Sequence, residues 1–218
     1  MDRITEDLLD SGLIMKGQVD RLKAKDVNSM LVLKHITQSG FMTMDRLVRF
    51  IVDKIRKGVY DLSIIEGYDY IREDIVLKKL SEGLNLEFID LDDIDIDHDL
   101  TNKIPLHQLQ KYHALPIYSD DLNVYIAIND PLDIEAKESL QRLFPRKPVK
   151  LKVAVKKQIQ NNLFKVELKD KEKVLVKKVR DELNSISSIE EQQEASSILL
   201  LIDVILNACI EGRASDIH

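Results

Sequence analysis

The sequence predicts an α+β fold, in which an amino-terminal bundle of short helix pairs precedes a small α/β domain. A weak repeat, marked by Gly12, Gly40 and Gly67, runs through the first ninety residues. Strand-like and helix-like patterns then alternate over roughly residues 84–166. Aromatic residues are only 5% of the chain and tryptophan is absent, which is typical of helix-rich proteins rather than sandwiches or barrels.

The repeat predicts about three helix pairs. The marker glycines are 28 and 27 residues apart, a length that suits one helix pair per unit. Gly12 follows an apolar stretch where a left-handed residue ends a helix, and Thr43 is a suitable N-cap for a later helix. Apolar residues then recur at helical spacing in the second and third units. They are Leu47, Val48, Ile51, Val52 and Ile55, and Ile71, Ile75, Val76 and Leu80.

Four segments are predicted along the chain. They are a helical domain (1–83), a small α/β domain (84–166), a charged linker (167–195) and the start of a second domain (196–218). The linker contains neither glycine nor proline, which favours a helical spacer. Ser196 or Ser197 begins the last predicted helix and Gly212 ends it. Apolar residues surround most of that helix, so we expect it to be buried in a domain.

The charge distribution singles out one anion-facing segment. The net charge of the whole chain is −6, but residues 145–180 hold 13 Lys/Arg against three Asp/Glu, a net charge of +10. That segment could face phospholipid, nucleic acid or the acidic stretch before it, or simply be a solvated lysine-rich face. The helical region has a net charge of −1, which argues against nucleic acid, because phosphate neutralisation dominates such binding.

Several classes of protein are disfavoured by simple patterns. A single cysteine, Cys209, rules out an internal disulfide framework and a cysteine-rich zinc site. The acidic amino terminus does not match a cationic leader, and the longest apolar run, 198–202, is too short to span a bilayer. We therefore expect a protein of a reducing, cytoplasmic compartment.

No catalytic or metal-binding motif is found. The acidic stretch of residues 90–99 invites a calcium interpretation, but an EF-hand loop counted from Asp93 has His98 and Ile104 where glycine and glutamate are needed. The histidines have no metal-ligand spacing, and no Gly-x-Ser-x-Gly elbow is present. No G-x-x-x-x-G-K-[ST] loop is present either, so ATP hydrolysis has no site in these residues. We expect no catalytic residue, metal or cofactor here.

Two stretches carry a resemblance to a known family. The first is ILLLIDVILNACIEGRASDIH, which ends in Ala214, Ser215, Asp216, Ile217 and His218. The second is GLNLEFIDLDDIDID followed by IPLHQLQKYHALPIYSDDLNVYIAINDPLDIEAKESL. Both resemble the amino-terminal region of the ATPases that power type II protein secretion and type IV pilus assembly.

The resemblance implies a regulatory and docking role without catalysis. The parent protein would be a cytoplasmic motor, peripheral to the inner membrane, that binds inner-membrane secretion or pilus proteins. It would form a hexamer through its ATPase core and use ATP and Mg²⁺ there. Residues 145–180 could add contact with anionic lipid.

The resemblance also implies an alternative function, binding of cyclic di-GMP. Some family members bind this nucleotide through two copies of the pattern Arg-Leu-Gly, two residues, Leu-Val, two residues, Gly. The candidate residues in the first copy are Arg3, Ile4, Leu8 and Leu9, with Thr5 in place of the early glycine. The second copy, residues 31–40, lacks both the arginine and that glycine. The competing interpretation is that these leucines belong to the core of a helical bundle.

Overall fold

The computed structural model describes residues 2–23, 31–186 and 196–211 and divides the chain into two compact units. Unit 1 comprises Met1–Asp90, Asn129–Lys137 and Leu151–Val155. Unit 2 comprises Leu91–Ile128, Glu138–Lys150 and Lys156–His218.

Helices dominate both units, as the sequence predicted. The helices are α1 (Arg3–Asp10), α2 (Lys16–Lys23), α3 (Val32–Gln38), α4 (Met44–Arg56), α5 (Glu73–Leu84), α6 (His98–Thr101), α7 (Leu106–Lys111), α8 (Ile134–Leu143), α9 (Lys156–Ile186) and α10 (Ser196–Glu211). The strands are β1 (Glu87–Phe88), β2 (Ala114–Ser119), β3 (Val124–Ile128) and β4 (Val149–Val153). They form a mixed sheet in the order β1-β4-β3-β2, with β1 parallel to β4 and β2 antiparallel to β3. The predicted α+β class is confirmed.

Amphipathic helices build the core of unit 1. All five apolar residues predicted for α4 are buried, and Thr43 caps this helix by accepting a hydrogen bond from the Arg46 backbone N–H at 3.3 Å. In α5 the prediction was wrong at one position, because Ile75 is 40% exposed and Leu77 is fully buried. Val76, Leu77 and Leu80 share one face of the helix, and Ile75 lies beside that face.

Left-handed glycines end three helices of unit 1 in the same way. Gly12, Gly40 and Gly58 have φ of 68°, 73° and 68°, and the residue after each donates a backbone hydrogen bond back into the preceding helix. The third repeat marker has a different conformation. Gly67 is the last residue of a 3-10 helix (Leu62–Gly67) and is not left-handed, whereas Gly58 is.

Helix α8 begins after a turn, and α9 runs past a predicted boundary. Pro131 lies in the turn before α8, which begins at Ile134, and the Ala136 backbone N–H donates to Asp133 at 2.9 Å. Asp133 therefore marks the start of α8. Helix α9 continues from the α/β domain through residue 186, so the secondary structure does not break at the predicted start of the linker. Residues 187–195 of that linker lie outside the described part of the chain.

The glycine ends allow a matched stability test. Gly40→Ala places a Cβ on a left-handed backbone and should lower the free energy of unfolding by about 1 kcal/mol. Gly17→Ala, in α2, should leave it unchanged or raise it by a few tenths of a kcal/mol, because Gly17 is helical and equally open around its Cα. Urea unfolding of both variants measures the difference. Equal effects would contradict the backbone explanation.

Candidate functional site

Three of the four residues proposed for nucleotide binding lie in or against the core of unit 1. Ile4 and Leu8 are fully buried, and Leu9 is half-buried against the same core. Arg3 points outwards: its guanidinium donates to the Val59 carbonyl at 2.8 Å and lies 5.0 Å from the centre of the Tyr60 ring. Arg3 is therefore the one member of the set that a ligand can reach without movement of α1.

Tyrosine–aspartate hydrogen bonds hold α1 in place. The Tyr60 hydroxyl donates to Asp7 at 2.5 Å, and the Tyr68 hydroxyl donates to Asp2 at 2.9 Å. Asp2 also caps α1, because it accepts hydrogen bonds from the backbone N–H and the hydroxyl of Thr5 at 3.0 and 2.7 Å. The start of α1 is thus joined to the chain segment that follows α4.

The same contacts keep these phenols neutral. Burial, followed by the hydrogen bond to Asp7, raises the pKa of Tyr60 above its ordinary value, and burial with the Asp2 bond does the same for the pKa of Tyr68. Burial and the nearby Asp2 charge raise the pKa of Tyr70. The Tyr70 hydroxyl is buried with no hydrogen-bond partner among the described residues, and its ring meets that of Tyr68 edge-on at 6.0 Å.

The other predicted positions give no second site. The motif Ala214, Ser215, Asp216, Ile217 and His218 lies outside the described residues. Within residues 2–23, 31–186 and 196–211, no group of three or more His, Cys, Asp or Glu side chains could hold a metal ion. None of the helices in those ranges is both long and apolar enough to cross a membrane.

Comparison with known proteins identifies the middle of the chain. The family model of the MshEN domain matches residues 84–171. Residues 84–171, less than half of the chain, are therefore similar to the MshEN domain. The predicted resemblance to the amino-terminal region of secretion and pilus ATPases is confirmed over this range.

Solved structures were also compared with the chain. A structure of MshE with cdg is 20% identical, covers 76% of this chain and 99% of its own, and has a TM-score of 0.43. A structure of the N-terminal domain of XpsE is 17% identical, covers 63% of this chain and 95% of its own, and has a TM-score of 0.41. No curated protein matches the chain.

The acidic side chains of residues 90–99 form hydrogen bonds within the fold. The Asp97 carboxylate accepts hydrogen bonds from the backbone N–H groups of Asp99 and Leu100 at 3.0 and 3.2 Å, which caps α6. Asp92 accepts from the Gln158 side chain at 2.9 Å. These acidic side chains therefore serve as a helix cap and as a hydrogen-bond partner within the fold.

The basic segment 145–180 is partly neutralised and partly exposed. Lys152 pairs with Glu87 at 3.0 Å, and Lys171 pairs with Glu167 at 2.7 Å. Beyond residue 168, every lysine and arginine of the segment is exposed on α9. Val174 and Val176 are exposed among them, at 55% and 38%. This half of α9 presents both cations and apolar side chains to solvent.

An apolar stripe runs along α10. Leu199, Ile202, Leu206 and Ile210 are spaced three or four residues apart, so they share one helix face, and each is 42–72% exposed. Cys209 is half-buried. This face is exposed among the described residues, and the prediction that α10 is buried in a second domain stays a prediction. On its other side α10 packs against α9, and a cavity of about 380 Å³ lies there, lined by residues that include Leu106, Leu175 and Val204.

The role of the tyrosines could not be predicted from sequence patterns. Tyr60 and Tyr68 are 53 and 66 residues from the aspartates they contact, so no local pattern joins them. The stripe of α10 could have been predicted, because its residues are spaced three, four and four apart, which places them on one helix face.

The tyrosine–aspartate contacts predict a pH-dependent stability. The pKa of Tyr60 is raised in the folded chain, so its stabilising contribution is complete below the unfolded pKa of about 10 and is lost as pH rises above that value. Tyr60→Phe should lower the free energy of unfolding by about 1 kcal/mol at neutral pH and flatten its fall above pH 10. Urea unfolding as a function of pH measures both effects. An unchanged alkaline slope in Tyr60→Phe would show that this hydroxyl does not hold α1.

Proposed function

We propose that this chain is a non-catalytic docking and regulatory region of a cytoplasmic ATPase that powers type II protein secretion or type IV pilus assembly. It binds inner-membrane partner proteins. The match of the MshEN family model to residues 84–171 carries this proposal. The exposed stripe of α10 supports a contact with a further part of the motor.

That stripe is too apolar to remain in water in a working assembly. Six large apolar side chains of α10 are 41–72% exposed, and patches of this kind mark surfaces that bind other protein. We assign this face to the motor itself: α10 is the first helix of a second, ATPase-proximal domain that covers it. In this arrangement α9 and α10 connect the docking region to the ATPase part of the motor.

Chemistry is assigned to other parts of the motor. The sequence contains no phosphate-binding loop, so the residues present do not fit a nucleotide triphosphate and its Mg²⁺. Hexamer formation through the ATPase core is part of the same proposal.

Anionic lipid is a proposed auxiliary contact. The exposed cations of α9 lie within residues 145–180, and a lysine or arginine near an anionic membrane surface contributes about 1 kcal/mol. The exposed Val174 and Val176 add apolar surface to the same half of α9. Lipid contact of this strength would hold the region near the membrane, but it would not determine which protein partner is bound.

Flotation with three kinds of vesicle tests docking. The chain should bind inverted inner-membrane vesicles from cells that assemble the secretion system, and protease treatment of the vesicles should remove most of that binding. Equal binding to untreated and protease-treated vesicles, or no binding to either, would contradict a protein partner.

The third kind of vesicle, made of anionic lipid alone, isolates the lipid contact. Neutralising Lys177, Lys178 and Arg180 to glutamine should weaken this binding by about a hundredfold. Neutralising Lys16, Lys34 and Arg46 in unit 1 is the matched control and should leave it unchanged.

Binding of cyclic di-GMP is a second candidate function. The observation that favours it is the outward guanidinium of Arg3, placed beside the Tyr60 ring, because guanidinium and aromatic groups both recognise phosphates and bases. A structure of the related MshE contains cdg, the abbreviation of this nucleotide.

Calorimetry with cyclic di-GMP, with ATP as the control ligand, tests this candidate. Micromolar binding of cyclic di-GMP alone, abolished in Arg3→Ala and retained in part by Arg3→Lys, is the expected result for a sensor. Binding that survives Arg3→Ala, or no heat at all, would contradict it.

A further inference from the structure

A charged groove lies between α4 and α5 in unit 1, away from Arg3 and its contacts. Its volume is about 350 Å³. The groove is lined by Arg49, Val52, Asp53, Arg56, Lys79, Glu82 and Gly83. Neither the repeat pattern nor the MshEN match assigns a role to it.

Most charges in the groove are already paired. Asp53 pairs with Lys57 at 2.7 Å, and Glu82 pairs with Lys79 at 2.7 Å. Arg49 pairs with Asp45 at 2.8 Å. Each pair joins opposite charges at a short distance in solvent, so these pairs contribute little net electrostatic potential to the groove.

Arg56 differs from the other cations of the groove. Among the described residues, no carboxylate lies within ion-pair distance of its guanidinium, which is exposed at the end of α4. The guanidinium lies against Gly83: a Cβ at Gly83 would stand 3.0 Å from its Nη1 atom. Gly83 has a helical backbone, which other residues can also adopt. Its lack of a side chain therefore matters because it leaves space for the Arg56 guanidinium.

The chemistry of the groove favours a peptide carboxylate over a phosphate. A guanidinium binds one carboxylate through two parallel hydrogen bonds, and Arg56 offers one such fork. Asp53 and Glu82 line the same groove, and they would repel a dianionic phosphate more strongly than a single carboxylate. Val52 adds apolar lining suited to the methylene groups of a glutamate.

We propose that this groove binds an acidic segment of a protein partner, with Arg56 as the anchor for a glutamate or aspartate side chain. This inference rests on the proposed docking function and names the kind of partner surface that docking uses. Arg49 and Lys79 remain in their own ion pairs and flank the bound segment.

Titration of the isotope-labelled full chain with hexaglutamate, followed by amide NMR, tests the groove directly. Saturable shifts should centre on Gly83 and the end of α4, and Arg56→Gln should weaken binding by about tenfold. Gly83→Ala should also weaken it, because the added Cβ displaces the guanidinium while leaving its charge. Arg46→Gln is the matched control, since Arg46 is an exposed arginine of the same helix outside the groove, and it should bind as the unmodified chain does.

Three results would overturn the proposal. They are the absence of shifts at Gly83, equal weakening by Arg56→Gln and Arg46→Gln, and an equal response to inorganic phosphate at matched ionic strength. Amide chemical shifts outside the groove that are the same in Arg56→Gln and in the unmodified chain will show that the variant is folded. The protease-sensitive part of membrane-vesicle binding separates the two levels. If it persists in Arg56→Gln, docking stands and the groove assignment falls, whereas its absence in the unmodified chain removes docking itself.

Discussion

Burial of one face of α4 and one face of α5 is the constraint on which the charged surface of unit 1 depends. Val48, Ile51 and Ile55 are nearly inaccessible on α4, as are Val76, Leu77 and Leu80 on α5. Each buried leucine, isoleucine or valine contributes about 1.5–3 kcal/mol, so neither helix can rotate without a large loss. With those faces fixed, Arg56 and Gly83 must meet at the helix edges. The guanidinium position is therefore a consequence of core packing and not of any ion pair of its own.

The same reasoning separates the two candidate functions. Arg3 is accessible, but Ile4 and Leu8 are as buried as any residue of unit 1. A nucleotide that used the whole Arg3–Leu9 pattern would have to displace α1. That displacement would expose two large apolar side chains and break the bonds from Tyr60 and Tyr68. Docking through the surface of a packed unit requires no such rearrangement, which is why it is the better supported function.

Local patterns predicted much of the fold, and long-range contacts explain the rest. The five buried residues of α4, its Thr43 cap and the left-handed Gly12 and Gly40 follow from helical spacing and from backbone sterics. The extent of α9 was not predicted, because a polar helix resembles a linker in sequence. The partners of Asp2 and Asp7 were not predictable, since they lie more than fifty residues away. The role of Arg56 could not be predicted either. Only the fold places its guanidinium beside Gly83 and, among the described residues, away from any carboxylate.

We infer that this chain docks on an inner-membrane protein through a surface of unit 1. Hydrogen–deuterium exchange of the full chain, with and without bound inner-membrane vesicles, tests it most directly. We expect slower amide exchange in peptides that cover α4 and α5, while α10 exchanges at the same rate in both states. Protection confined to α9 and α10, or no protection in unit 1, would contradict the claim.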